Sequence, residues 1–142
     1  MKLVVAAIGH LKSGPEKELA AEYEQRIPVL GRKAGISGLS ISDWPESRAS
    51  DMKLRLAEEA KLLWSVVPVA SPVFVLDERG EALSSAVFAK LLEKEAALGA
   101  KQLTFMIGGA RRACRRNAFQ SFENIEFWPH DLAAPAGPRD AA

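Results

Sequence analysis

The sequence predicts a single-domain α/β protein built on a parallel sheet. Continuous aliphatic runs at Leu3 to Ile8, Val73 to Leu76 and Leu103 to Ile107 read as strands covered on both faces. Stretches with helical periodicity separate these runs. Each run also breaks into a glycine or a glycine-bearing turn, at Gly9, Gly80 and Gly108-Gly109. At 142 residues the chain is the size of one domain and buries one core without staples.

The elements follow in order. After strand Leu3 to Ile8, Ser13-Gly14-Pro15 starts a helix, with proline at the first turn and Glu16 and Glu18 facing the positive end of the dipole. Leu19, Tyr23 and Ile27 recur on one face of it, and Pro28 and Gly31 are expected to stop it. Leu39, Ile41 and Asp43 alternate with serines, predicting a shorter, more exposed strand that Trp44-Pro45 ends. Ser50 is the expected cap of a second helix whose buried stripe is Met52, Leu56, Ala60, Leu63 and Val67. Val73 to Leu76 is the third strand. Ser84 caps a third helix with Phe88, Leu91, Leu92 and Leu98 toward the core, closed by Gly99 in a left-handed conformation. Leu103 to Ile107 is the fourth strand, Arg111 to Phe119 reads as a short helix, and Ile125 to Trp128 as a fifth strand.

Composition excludes several classes of function. Lys plus Arg number 19 against 18 Asp plus Glu, so no global field draws the chain to nucleic acid or an anionic membrane, and RNA binding would need a local patch. Cys114 is the lone cysteine, which rules out an internal disulfide and a Cys-rich zinc site and suits a reducing compartment. The first apolar run is too short for a signal-peptide core, and no run approaches about 20 residues. A cytoplasmic protein with no membrane span is expected.

In a parallel sheet, ligands sit beyond the carboxyl ends of the strands. The ends near Gly80, Gly108-Gly109 and Ile125 to His130 are therefore expected to lie side by side as one ligand-binding edge. Gly108 and Gly109 either let backbone amides approach a ligand or make a tight turn. The segment fails the dinucleotide and phosphate-loop patterns. Asp77 is either a turn cap or a ligand contact. His10 and His130 have no partner at metal-ligand spacing, so no metal is expected. No serine lies in a nucleophile elbow. Arg111, Arg112, Arg115 and Arg116 form either a phosphate-contacting patch or a solvated charged face.

Taken together, Met1 to Gly9, Leu76-Asp77-Glu78-Arg79-Gly80 followed by Leu83-Ser84-Ser85, Phe105-Met106-Ile107-Gly108-Gly109-Ala110 and Trp128-Pro129-His130 resemble the RlmH (YbeA-like) branch of the SPOUT methyltransferases. The order and spacing match from residue 1 to about 110. The resemblance implies a SPOUT-type α/β knot fold and a homodimer. It implies S-adenosylmethionine as methyl donor without a metal, and methylation of N3 of a pseudouridine in 23S ribosomal RNA. Carried onto this chain, it implies a donor pocket from Leu76 and Asp77, from Gly108 and Gly109, and from Asn124, Ile125, Glu126, Phe127, Trp128 and Pro129. It assigns no catalytic residue. Beyond residue 110 the chain departs from the family pattern. The arginine run replaces an acidic or glycine-containing loop, and Asp131 to Ala142, with two prolines and a glycine, stands where the family has a long amphipathic helix.

A methyltransferase domain over 1–130, a divergent tail over 131–142 and an incomplete knot are therefore expected. A non-catalytic module that binds ribosomal RNA is the alternative, and binding to that RNA indifferent to the methyl donor would distinguish it. The Ala/Pro-rich tail also has the composition of a GC-rich gene read in another frame. Resequencing the gene is expected to reveal a frame that restores the helix pattern.

Overall fold

A computed structural model describes residues 1–108 and 122–126, with the backbone alone for 77–80 and 122–126. The order of elements is β1 (Lys2–Ile8), α1 (Pro15–Leu30), a 3-10 turn (Gly31–Ala34), β2 (Gly38–Trp44), α2 (Met52–Trp64), β3 (Val73–Ala82), α3 (Ser85–Ala97), β4 (Gln102–Ile107) and β5 (Phe122–Glu126). The five strands form one sheet in the order β2-β1-β4-β3-β5, and every neighbouring pair is parallel. The α/β class read from the sequence is the observed one. The expected helix at Arg111 to Phe119, the tail and the segment that would form the knot lie outside the described residues.

Each face of the sheet has its own core. Ala6, Val73, Val75 and Met106 pack with Leu63 of α2, and Ile8, Trp44, Trp64, Val66 and Val67 border them. On the opposite face Leu3, Phe74, Leu103 and Phe105 meet Phe88, Leu91 and Leu92 of α3. Phe105 is the hub there, its ring centroid 5.8 Å from those of both Phe74 and Phe88. Burial on both faces explains the unbroken aliphatic runs of β1, β3 and β4. Buried Thr104 is satisfied by the Gln102 amide, which also donates to the Val66 carbonyl at 2.8 Å.

Several boundaries differ from the sequence reading. Pro28 lies inside α1 and does not stop it, because the helix needs only a few more residues before Gly31 opens the tighter turn that Gly35 ends in a left-handed conformation (φ 74°). Leu19 and Tyr23 on α1 are each 52% exposed, so that face is not covered by the described residues. Asp51 rather than Ser50 caps α2, its carboxylate accepting the amides of Lys53 and Leu54. Of the expected α2 stripe Leu63 is fully buried, Leu56, Ala60 and Val67 are half-buried, and Met52 in the first turn is exposed. Leu98 does not reach the core, since α3 ends at Ala97 and Leu98 is its exposed cap, followed by Gly99 at φ 85°. Ser84 caps α3 as expected, accepting from the Val87 amide at 3.2 Å. β3 runs on through 77–82, and β5 lies three residues earlier than expected at its start.

Leu63 anchors α2 to the sheet with no solvent exposure. Leu63→Ala is expected to cost about 2–5 kcal/mol, read as a lowered midpoint in urea unfolding.

Candidate functional site

The parallel ladders bring all carboxyl strand ends to one edge. One row of paired residues runs across it: Asp43 on β2, Ala7 on β1, Ile107 on β4, Leu76 on β3 and Ile125 on β5. The expected adjacency of the β3, β4 and β5 ends is thus what the topology provides. Leu76 is half-buried on the α3-side core, while Ile107 beside it is 40% exposed, an apolar side chain at the rim of the edge.

Between β3 and β5 the ladder shifts, because Leu76 and Glu81 both pair with Ile125. The backbone of Asp77 to Gly80 therefore stands out of register as an excursion within the strand, where the sequence suggested a terminating turn. Asn124, Ile125 and Glu126 pair with Val75, Leu76 and Ala82. Gly109, Arg111, Arg112, Arg115, Arg116, Phe127, Trp128 and Pro129 lie outside the described residues.

Gly108 turns away from β4 at φ 89°. A Cβ there would stand 3.2 Å from the Ile8 Cβ and 3.5 Å from the Ile8 carbonyl oxygen. Its lack of a side chain thus allows the end of β4 to lie against the end of β1, in a conformation that other residues rarely adopt.

The β1 and β2 ends hold a feature the sequence reading passed over. The His10 Nδ1 lies 3.1 Å from Asp43 Oδ2, and the Leu11 amide donates to the same oxygen at 3.2 Å. The hydrogen bond from His10, and then that from Leu11, hold the Asp43 carboxyl below the usual carboxylate range. The available signal was positional, since His10 follows the end of β1 and Asp43 lies one residue before the end of β2. The loop after β2 is fastened separately. The Ser47 amide donates to buried Glu59 at 3.1 Å, Arg55 Nε donates to the Ser47 carbonyl at 3.0 Å, and the Ser47 hydroxyl donates to Glu58.

Residues 1–133 match the family model described as "Predicted SPOUT methyltransferase". The chain belongs to the SPOUT methyltransferase family. Among similar proteins, one of Bradyrhizobium diazoefficiens named ribosomal RNA large subunit methyltransferase H is 43% identical over 140 residues, covering 93% of this chain and 85% of the relative. A protein of the same name from Rhodopseudomonas palustris strain HaA2 is 44% identical over 136 residues, with 93% and 85% covered. Membership makes this SPOUT chain an enzyme of the methyltransferase class, as the resemblance of its motifs implied. Among the described residues no helix is long and apolar enough to cross a membrane, and no three His, Cys, Asp or Glu side chains converge as a metal site.

Gly108→Ala is expected to destabilise by about 1–3 kcal/mol through backbone strain, measured by urea unfolding. Because the folded Asp43 carboxyl is depressed, its contribution is present above the unfolded carboxylate value and lost as pH falls through the folded one. Because the pair is exposed, its share is small: stability should decline slightly on acidification from about pH 5, and Asp43→Asn should remove that small slope in thermal melts across pH.

Proposed function

We propose that this chain transfers the methyl group of S-adenosylmethionine to N3 of a pseudouridine in 23S ribosomal RNA, acting as a cytoplasmic homodimer on the ribosome. The observation that carries this reading is the row of strand ends from β4 through β3 to β5, found in a chain whose relatives are named for ribosomal RNA methylation. S-adenosylmethionine supplies an electrophilic methyl on a sulfonium. The described residues fit such a donor. Ile107 and Leu76 offer an apolar ledge for a flat base, and the left-handed turn at Gly108 begins the loop that would border it.

In this reading Leu76, Asp77, Gly108, Gly109 and the segment 124–129 hold the donor without a metal. Arg111, Arg112, Arg115 and Arg116 meet RNA phosphates. Residues 1–130 are the methyltransferase domain, and 131–142 a divergent tail. Exposed Leu19 and Tyr23 on α1 are compatible with a second copy covering apolar surface. The protein's own contribution to rate is chiefly alignment, which in well-oriented systems is worth about 7–11 kcal/mol, together with removal of one proton.

Calorimetric titration of the chain with S-adenosylmethionine is expected to show saturable one-to-one binding that Gly108→Trp abolishes. Incubation with ribosomes lacking the modification should place the label on N3 of a pseudouridine, mapped by mass spectrometry. A folded, donor-binding chain that leaves ribosomal RNA unlabelled would overturn the reading.

A further inference from the structure

An N–H nitrogen of a uracil-type ring must lose its proton before it can take a methyl group, and enzymes assign that task to a positioned base. At the carboxyl edge of β1 and β2, we propose that His10 is the proton acceptor of the methyl transfer and that Asp43 positions it. This rests on the methyltransferase reading above.

Three observations support the assignment. The first is location. Asp43 and Ile107 flank Ala7 in the row across the edge, so the backbone of Asp43 stands two strand spacings, about 10 Å, from that of Ile107, and His10 follows β1, the strand between them. Gly108 and Ile8 join the two halves of the edge in close contact. A donor on the β4–β3–β5 half thus leaves the β1–β2 half for the base that receives the methyl.

The second is orientation. A carboxylate only accepts, so the 3.1 Å contact makes Nδ1 the protonated nitrogen and leaves the lone pair of the neutral ring on Nε2. Asp43 also accepts the Leu11 amide, which fixes the backbone on the far side of His10 and holds the ring in place. Gly9 anchors the near side through its amide, 2.6 Å from the Trp44 carbonyl.

The third is access. The His10 side chain is 57% exposed, so Nε2 can meet a substrate and later return its proton to water. Asp43 is the charged group that faces the imidazole from β2. On its own loop the next ionisable side chain is Lys12, and beyond β2 it is Glu46. An exposed ion pair of this kind adds little to stability.

The step balances. The ring N–H proton passes to His10 Nε2, giving an imidazolium beside the Asp43 carboxylate. The electron pair left on nitrogen forms the new N–C bond as the S–C bond of the donor breaks, and the sulfur departs as a neutral thioether.

The test compares the full-length wild type with His10→Ala and Asp43→Asn. Single-turnover methyl transfer to unmodified ribosomes is measured across pH, and imidazole nitrogen resonances are recorded by NMR without donor. His10→Ala should bind S-adenosylmethionine as the wild type does but transfer methyl about 10²–10⁴-fold more slowly. It should also lack the fall in rate that the wild type shows as its imidazole protonates. In the wild type the neutral ring should carry its proton on Nδ1, and Asp43→Asn should mix the two tautomers and slow transfer less than His10→Ala. Wild-type transfer by His10→Ala at saturating ribosome would overturn the proposal, whether or not its ribosome affinity had dropped. A neutral wild-type ring protonated on Nε2 would also overturn it. A wild type that binds donor but methylates nothing would overturn the methyltransferase reading together with this one.

Discussion

The structure depends on β1 being paired on both sides along nearly its whole length. Lys2 to Ile8 runs in parallel register with Gly38 to Trp44, and Lys2 to Ala7 with Gln102 to Ile107. Its side chains divide between the two cores, Ala6 to the α2 side and Leu3 to the α3 side. A slip of one residue would exchange those sets, so burial on both faces fixes the register. The same register sets Asp43, Ala7 and Ile107 level and brings Ile8 against Gly108. The geometry of the candidate site is therefore inherited from the central strand, not assembled independently by its loops.

Glu59 shows how the fold holds a loop near that edge. A carboxylate with 8% of its side chain exposed is costly unless its oxygens are satisfied. Here the Ser47 amide supplies one bond, and the Arg55 guanidinium lies 3.8 Å away while donating to the Ser47 carbonyl. Both partners converge on Ser47, so the desolvated charge fastens the β2–α2 connection to the middle of α2. Removing either partner would leave a buried group unmet, a larger loss than the bond itself.

The strands were legible because burial on both faces leaves a signature that little else produces, and β1 and β4 start within one residue of the readings at Leu3 and Leu103. The caps at Ser84 and Gly99 were legible because each answers a local backbone need. What escaped was set by tertiary context. Met52 fits the helical period yet is exposed in the first turn of α2, whereas Glu59, a charge at helical spacing from Leu63, is buried beside the loop it binds. β3 outlasts its apolar run because β5 pairs with it beyond the shift at Leu76 to Glu81, and strand pairing needs backbone rather than apolar side chains. The His10–Asp43 contact spans 33 residues of chain, and only the β1–β2 register closes that separation.

That division of the edge suits the chemistry assigned to it. Methyl transfer from a sulfonium to a deprotonated ring nitrogen turns a cation and an anion into two neutral species. Such a reaction gains from surroundings of low polarity, where opposite charges attract more strongly before they cancel. Proton removal has the opposite need, since it creates an imidazolium and requires a counter-charge and water. The apolar ledge of Ile107 and Leu76 meets the first requirement, and the exposed His10 after β1, beside Asp43 of β2, meets the second. A single parallel sheet can offer both because its carboxyl edge is continuous while the side chains along it change from apolar at Leu76 and Ile107 to charged at Asp43.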